Sequence, residues 1–305
     1  MNRPMKMNVP HQEIVLESED LCVRLLPDVG FKVREIFWKE KNFDLLYKPA
    51  AARAGADLST AYFNPFPGMN YQPFDRSGLD DVIPTLYPCR VSQIGNFHKF
   101  GDVWARSWHV IESNLTRDHC SAFIRLSAIP LYLERTVSIS GTSLFLHYRL
   151  INETVSALPW MWSLYTLAVY DPAARLDLPV EGPAVDPETG KKHDLNFSQP
   201  ALFPADQNVH FFFERPVQKG WARISYPTQG VACQISWDPS LFPYLGGSFI
   251  GGAQASERKI CLRPGNGYHE NLEKALSAGK AATIPPEGEL VWDVQLRLCA
   301  LPDRS

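Results

Sequence analysis

Several short stretches of this chain combine aromatic rings with side chains that can hold or move a proton. The clearest is FHKFGDVWARSW, residues 97–108, which contains His98, Asp102, Trp104 and Arg106. The stretch is too polar for a core strand and too aromatic for an ordinary loop. Flat aromatic faces beside planar hydrogen-bonding groups suit a pyranose ring, which has an apolar C–H face and equatorial hydroxyls. The pattern therefore predicts one wall of a sugar-sized cleft.

Four further stretches carry the same mixture of residue types: GLDDVIPTLYP (78–88), INETVSALPWMWSLYTLAVYDP (151–172), SWDPSLFPYLGGSF (236–249) and ICLRPGNGYHENLEKAL (260–276). They supply the remaining candidate substrate-binding residues, which are Asp80, Trp162, Tyr165, Arg263 and His269. An arginine after the apolar run ICL must find a carboxylate or a ligand if it points inward. Because guanidinium groups pair bidentately with carboxylates and phosphates, Arg263 predicts a sugar or sugar derivative that can be anionic.

Each of these residues also has a purely structural explanation. Trp104 fits an alternating core position of a strand, and Asp81 fits the cap of a turn. Tyr165 needs only one hydrogen-bond partner to be a buried strand residue. His269 and Glu270 form a possible acid–base pair, but they also stand where the start of a helix favours polar residues. From the residues alone, both explanations stay open.

Composition and charge exclude several classes of protein. The chain has 305 residues, of which 45% are hydrophobic and 21% charged, and a formal net charge of -3. No basic cluster is denser than Gly190-Lys191-Lys192-His193, so nucleic acid is not a predicted partner. The N-terminus has no apolar signal-like segment, and no run is long and apolar enough to span a bilayer. These features predict a cytoplasmic protein with no membrane partner.

The spacing of the cysteines and histidines indicates whether disulfides or a metal site are expected. The six cysteines are scattered, with no CxxC pair, which is typical of reduced core thiols. No two histidines have the spacing of metal ligands on a helix. The sequence therefore predicts neither a metal site nor a cofactor.

The elements that must position the candidate residues are β-strands. Runs such as LCVRLLP, LYLERTVSIS, SLFLHYRLIN, VACQISW and LVWDVQLRLC alternate or cluster β-branched and aromatic residues between turn formers, which predicts an antiparallel all-β protein. Ser140-Gly141 joins two of these runs into a hairpin, and ENLEKALSAGK (270–280) predicts one short helix ending at Gly279. We expect a single domain over residues 1–305, with about the first 12 residues and 180–208 mobile.

In their order along the chain, GLDDVIPT, FGDVWARSW, INETVSALPWMWSLY, WDPSLFPYLGG and CLRPGNGYHENLEKAL resemble the aldose 1-epimerase (galactose mutarotase-like) superfamily. The closing stretch PPEGELVWDVQLRL extends the resemblance, which runs from about Leu21 to Leu298. It implies a large single-domain antiparallel β-sandwich, a supersandwich, that binds sugars in an open cleft. It also implies general acid–base catalysis at the anomeric centre, with a carboxylate and a histidine exchanging protons with the sugar.

This sequence departs from the family pattern at the positions that titrate. Phe100 and Tyr165 stand where the family has histidines, and Arg263 stands where it has a glutamate. Phenylalanine cannot transfer a proton, and arginine is not a base at neutral pH. The resemblance therefore implies a carbohydrate-binding protein whose epimerase activity is altered or lost.

Two other hypotheses stay open at this stage, and the catalytic residues stay unassigned. One is an active sugar epimerase or isomerase in which His98, His269, Asp80 or Asp102 moves the protons. The other is a structural or interaction module whose cleft is closed by aromatic side chains.

Overall fold

The computed structural model describes residues 13–49, 77–92, 94–180, 182–187, 189–193, 208–252 and 257–302, apart from the side chain of His269. Antiparallel strands dominate these ranges, as the alternating sequence pattern predicts. They also contain the short helix α1 (Leu272–Ser277) and the two 3-10 turns Glu112–Asn114 and Tyr268–Glu270. The strands in chain order are β1 (Ile14–Glu17), β2 (Leu21–Leu26), β3 (Lys32–Trp38), β4 (Phe43–Asp44), β5 (Leu79–Val82), β6 (Cys89–Val91), β7 (Gly95–Phe97), β8 (His109–Val110), β9 (His119–Arg125), β10 (Leu131–Ser140), β11 (Ser143–Asn152), β12 (Leu158–Trp160), β13 (Ser163–Val169), β14 (Arg175–Asp177), β15 (Ala184–Val185), β16 (Lys192–His193), β17 (Val209–Phe213), β18 (Trp221–Tyr226), β19 (Val231–Trp237), β20 (Tyr244–Ile250), β21 (Lys259–Gly265), β22 (Ala282–Ile284) and β23 (Glu289–Ala300).

Two large sheets contain most of these strands. The larger sheet has the order β1-β2-β3-β5-β13-β21-β20-β17-β15-β16, with β4 paired to β3. The smaller has the order β14-β18-β19-β23-β11-β10-β9-β8. Two-stranded sheets β12-β22 and β6-β7 complete the set among the described residues. The predicted antiparallel β-sandwich is confirmed.

The central strands of the larger sheet, such as β5 and β21, are buried on both faces. The inner face of this sheet packs against the smaller sheet, and the main hydrophobic core between them draws residues from Ile14 to Leu298. Its outer face carries a second apolar cluster, which includes Phe100, Trp104 and Tyr165. Because successive residues of a strand point to opposite faces, each central strand must supply both environments. The outer face is the one that carries the candidate site.

Local predictions for the helix and the hairpin are also confirmed. Asn271 caps α1 by accepting a hydrogen bond from the backbone N–H of Lys274 (3.0 Å), and the chain leaves the helix at Gly279, whose φ is +65°. Gly141 turns β10 into β11 with a φ of +54°. Left-handed backbone of this kind favours glycine, which has no Cβ.

The structure describes part of the segments predicted to be mobile. β15 and β16 add two strands to the edge of the larger sheet, so this part of 180–208 is regular structure. Residues 1–12 and 194–207 lie outside the described residues. All six cysteines are described, and each is a free thiol. In the part of the chain that the structure covers, no helix is long and apolar enough to cross a membrane.

A fully buried ion pair joins the two large sheets. Arg135 on β10 lies 2.5 Å from Asp81 on β5, and both side chains are completely shielded from solvent. Arg135 also donates to the carbonyl of Phe31, and the indole of Trp162 donates to the other Asp81 oxygen (2.8 Å). A buried charge that loses its partner is strongly destabilising. The Asp81–Arg135 pair therefore fixes how the sheets face each other.

We expect Asp81→Ala to lower the apparent free energy of unfolding by about 3–5 kcal/mol, because it leaves the Arg135 guanidinium buried and unpaired. Urea denaturation followed by tryptophan fluorescence measures the loss. Glu153→Ala is the control, because Glu153 pairs with Arg125 at the surface. The control variant should leave the urea midpoint almost unchanged. Equal effects of the two substitutions would contradict a structural role for the buried pair.

Candidate functional site

A row of side chains crosses the outer face of the larger sheet. Asp80 on β5 pairs in register with Tyr165 on β13. Arg263 follows on β21, with its guanidinium carbon 5.5 Å from the Tyr165 ring centroid. Gly246 on β20 pairs with Arg263, and Phe212 on β17 pairs with Gly246. Three candidates that are far apart in sequence, Asp80, Tyr165 and Arg263, thus lie on adjacent strands of one face.

A pocket of about 280 Å³ lies against this row. Arg263 and Glu270 are the charged members of its described lining, and Phe212 and Tyr244 are the aromatic ones whose rings contact each other, with centroids 5.8 Å apart. Tyr268 packs on both rings, 6.0 and 6.1 Å away. The pocket is narrow, with free room for about one water molecule, so a ligand has to displace flexible side chains at the rim.

The charged centre of the pocket is a buried ion pair between Arg263 and Glu270. Arg263 Nε donates to Glu270 Oε1 (2.9 Å), and Nη2 lies 2.8 Å from Glu270 Oε2. The same guanidinium donates to Ser248 Oγ (3.2 Å) and to the carbonyl of Gly247 (3.3 Å). Arg263 therefore has its carboxylate partner within the chain, and its presence alone does not require an anionic ligand.

Glu270 reaches Arg263 because a turn folds the chain back over β20 and β21. The Glu270 carbonyl accepts hydrogen bonds from the backbone N–H groups of Leu86 (3.0 Å) and Tyr87 (3.2 Å). These bonds hold Glu270 in left-handed backbone, with a φ of +55°. Gly246 makes room for the carboxylate, because a Cβ at that position would lie 2.3 Å from Glu270 Oε1.

Burial shifts the proton affinities of these groups. It raises the pKa of Glu270, and the positive charge of Arg263 opposes that rise. Although burial disfavours the charged guanidinium, pairing with Glu270 raises the pKa of Arg263 above its usual value. Burial also raises the pKa of Tyr165. Tyr165 therefore keeps its proton at neutral pH and cannot serve as a base.

Phe100 and Trp104 form an aromatic wall over Tyr165. The Phe100 ring meets the Tyr165 ring edge to face, with centroids 5.3 Å apart and planes at 84°, and lies 6.0 Å from Trp104. Phe100 has a φ of +66°, which is unfavourable for a bulky residue. A bond from its N–H to the Leu86 carbonyl (2.8 Å) holds it there. Phe100, Tyr165 and Arg263, the residues that the sequence resemblance assigns to the three family positions, are thus neighbours in space.

Solved structures with the same architecture come from several bacteria. The Slr1438 protein from Synechocystis sp. PCC 6803 is 16% identical, with a TM-score of 0.76 over 98% of this chain and 100% of its own. A provisionally named aldose 1-epimerase from Escherichia coli K12 is also 16% identical, with a TM-score of 0.70 over 95% of this chain and 99% of its own. A galactose mutarotase-like protein from Lactobacillus casei ATCC 334 is 12% identical, with a TM-score of 0.68 over 94% of this chain and 100% of its own.

The fold is the galactose mutarotase-like β-sandwich. At identities this low, the similarity establishes the fold and nothing more specific. No protein-family model matches the sequence, and no curated protein matches it either. Function therefore has to be argued from the site itself.

Two predicted binding residues of the stretch 97–108 hold a loop in place. Asp102 accepts hydrogen bonds from the backbone N–H of Ser127, from the Ser127 hydroxyl (2.7 Å) and from the backbone N–H of Ala128 (3.0 Å). Arg106 lies 3.3 Å from the same carboxylate and is partly exposed. Because Asp102 is buried and hydrogen-bonded to Ser127 and Ala128, its role in this fold is explained by holding that loop in place.

Other predicted residues lie away from the pocket or have internal partners. Trp162 borders the pocket, but its indole is 1% exposed and lies in the main core, so neither ring face is open to a ligand. Asp80 is buried and ion-paired with Lys32, which also donates to the Ser77 carbonyl (2.9 Å). His98 is exposed. His269 belongs to the turn Tyr268–Glu270, and its side chain lies outside the described residues.

Sequence analysis missed several residues of the outer face, among them Phe212, which lines the pocket, and His210. The contacts of His210 connect it to Arg263. This histidine pairs in register with Ser248, and its Nδ1 lies 2.8 Å from the Ser248 hydroxyl, which accepts from Arg263. The stretch VHFFF contains the signal, because alternation on β17 sends Phe211 to the core and His210 to the opposite face. The stretch has no turn or motif to mark that face as functional.

Substitution of Gly101 tests whether its close contact with Ile83 holds the aromatic wall of Phe100 and Trp104 in place. A Cβ on Gly101 would lie 2.0 Å from the Ile83 carbonyl oxygen, and the φ of Gly101 is +72°. Gly230 has a similar φ of +64° with open space around it. We expect Gly230→Ala to lower the apparent free energy of unfolding by about 1 kcal/mol for the backbone alone. Gly101→Ala should lower it by a further ~1–3 kcal/mol from the clash.

Urea denaturation of both variants, monitored by circular dichroism, measures the difference. Equal losses for Gly101→Ala and Gly230→Ala would show that the contact between Gly101 and Ile83 does not hold the wall.

Proposed function

We propose that this protein binds a sugar in the pocket on the outer face of its larger sheet. The observation that carries the proposal is the combination of the Arg263–Glu270 pair with the aromatic residues Phe212 and Tyr244 in the lining of one small pocket. Phe212 is buried beneath Tyr244 and Tyr268, so Tyr244, which is 8% exposed, is the lining ring best placed to contact a ligand. An aromatic surface beside charged hydrogen-bonding groups matches the two kinds of surface that a pyranose presents. The galactose mutarotase-like fold supports a carbohydrate ligand.

The small size of the pocket favours a single sugar ring over a chain of sugars. It has free room for about one water molecule, so even one ring requires neighbouring side chains to move. Tyr268, which packs on Phe212 and Tyr244, is partly exposed and can rotate to admit the ring.

The same geometry supports the loss of the epimerase reaction that the resemblance implies. Phe100 carries no titratable group, and burial raises the pKa of Tyr165 away from neutrality. Arg263 is permanently charged. General acid–base catalysis needs groups whose pKa values lie near the working pH. Arg263 lines the pocket and the other two pack beside it, but none of the three can exchange the protons of a ligand.

Ligand-observed NMR and calorimetry against a panel of hexoses, hexuronates and hexose phosphates test the binding proposal. We expect at least one member to bind. Tyr244→Ala should weaken its binding by about 1 kcal/mol, roughly fivefold in Kd, through lost ring contact. Tyr132→Ala, a change of the same type on β10 of the smaller sheet, is the control and should leave Kd unchanged. Absence of binding across the panel would overturn the proposal and favour a structural module.

Proton NMR exchange spectroscopy on the sugars that bind tests the second half of the proposal. We expect the protein to leave the rate of anomer exchange at its spontaneous value, because the buried neighbours supply no proton carrier. Acceleration by the wild-type protein would contradict the loss of epimerase activity.

A second candidate function, an active sugar isomerase, is favoured by one observation. Glu270 is a buried carboxyl in the pocket with a raised pKa, which is a property of catalytic acids and bases. His210 lies on the same face, linked to Arg263 through Ser248. If the wild-type protein accelerates exchange and Glu270→Gln or His210→Gln removes the acceleration, the isomerase replaces the binding protein as the assigned function.

A further inference from the structure

The pocket contains one positive and one negative side chain among its described lining residues. They are Arg263 and Glu270, and they neutralise each other. The neighbouring cation Lys32 is paired with Asp80, and Lys259 lies over the ring of Tyr47, 3.8 Å from its centroid. Lys280 lies over the Tyr268 ring, 3.9 Å from its centroid, and Lys99 lies 5.5 Å from the Phe100 centroid. Cations are thus present around the pocket, but not among its described lining beyond Arg263. Among the described lining residues the pocket therefore carries no net positive charge.

Arg263 has little hydrogen-bonding capacity left for a ligand. Its Nε and Nη2 edge, which would take a carboxylate or phosphate bidentately, faces Glu270. The remaining Nη2 hydrogen goes to Gly247, and Nη1 donates to Ser248. Three of the five guanidinium N–H groups therefore donate to partners within the chain, and the ion pair with Glu270 occupies the bidentate edge. An anionic ligand would have to displace the Glu270 carboxylate before it could bind this edge of the guanidinium.

Glu270, in contrast, keeps hydrogen-bonding capacity. Its side chain is 5% exposed, and Oε2 is buried without a hydrogen bond of good geometry, although it is ion-paired with Arg263. A carboxylate has about four lone-pair directions, more than one arginine uses. Oε2 is buried, so a ligand hydroxyl reaches these directions only when neighbouring side chains move. Once reached, they suit the O–H groups of a neutral sugar, whereas the negative charge of the carboxylate repels a second anion at close range.

From these contacts we infer that the pocket selects uncharged sugars, and that Glu270 determines this selectivity by accepting hydrogen bonds from ligand hydroxyls while it occupies the anion-binding edge of Arg263. This inference rests on the proposed sugar-binding function. It reverses the expectation of an anionic ligand that Arg263 suggests in the sequence. Gly246 contributes to this selectivity, because a side chain at that position would displace the Glu270 carboxylate.

The test compares matched ligands of equal ring size: D-glucose with D-glucuronate and D-glucose 6-phosphate, and the same three forms of D-galactose. Calorimetry or ligand-observed NMR gives the Kd of each. For the wild-type protein we expect the neutral member of a series to bind about tenfold or more tightly than its anionic partners, because each anion meets the Glu270 carboxylate.

Two substitutions at Glu270 should weaken or reverse the preference for neutral sugars over anionic ones. Glu270→Ala opens the edge of Arg263, so a uronate carboxylate can take the vacated place and should gain about tenfold or more over wild type. Glu270→Gln keeps the shape and removes the charge, and should weaken neutral sugars by about tenfold, because hydrogen bonds to charged groups are the stronger ones. Glu153→Gln makes the same charge change at the surface and should alter neither series.

Gly246→Ala provides a test that does not remove the buried charge. The new Cβ should push the Glu270 carboxylate away from Arg263. The difference in Kd between neutral and anionic ligands should then become smaller, although the net charge of the protein is unchanged. This variant covers the case in which Glu270→Ala leaves Arg263 unpaired and fails to fold. Thermal unfolding with and without ligand confirms that each variant is folded before its Kd values are used.

The outcomes separate the inference from the function on which it rests. If wild type binds uronates or sugar phosphates more tightly than neutral sugars, the inference is overturned and the sugar-binding function stands. If the preference of a folded Glu270→Gln or Gly246→Ala variant equals that of wild type, Glu270 is not the selecting residue. If no ligand binds wild type or any variant, the proposed function falls, and the inference falls with it.

Discussion

Burial of the central strands of the larger sheet on both faces is the constraint on which the rest of this structure depends. Strands in such a sheet must alternate between two different apolar environments, so every residue step changes the partner that a side chain meets. The adjacent carboxylates Asp80 and Asp81 show the consequence. Asp81 enters the core and pairs with Arg135 across the sheets, whereas Asp80 enters the outer face and pairs with Lys32. Neither charge is tolerable without its partner.

At the candidate site on the outer face, buried polar side chains likewise need partners within the chain. Arg263 and Tyr165 would be poor residues for an open, solvated cleft, because both are almost fully buried. The chain satisfies the arginine by folding Glu270 back over it and covers the tyrosine with Phe100. Unfavourable left-handed backbone at both Phe100 and Glu270 is held by hydrogen bonds to one segment, residues 86–87. That segment therefore couples the aromatic wall to the charged centre of the pocket.

A charge-neutral pocket has a different chemistry from the one that single residues suggest. Phe100, Tyr165 and Arg263, which the resemblance places at proton-transfer positions, contact one another here. The arginine is paired with a carboxylate of the same chain, and the rings of Phe100 and Tyr165 pack against each other beside it. The proposed sugar-binding function uses the hydrogen-bond acceptors and aromatic surface that this arrangement retains. The strands that carry these residues are also held by contacts on their opposite face.

The sequence by itself determined the antiparallel strands, the hairpin at Gly141 and the short helix ending at Gly279, because period-two alternation and turn chemistry are local properties. The β-sandwich followed from the family resemblance, which rests on the order of several stretches along the chain. The sequence also marked Tyr165 and Arg263 as residues that need partners. Only the tertiary structure decided what those partners are. Glu270 meets Arg263 through a turn whose path depends on bonds to residues 86 and 87, far away in the chain. Similarly, Trp162 entered the core and His210 the outer face, because strand register and sheet order are set by long-range packing that no local pattern specifies.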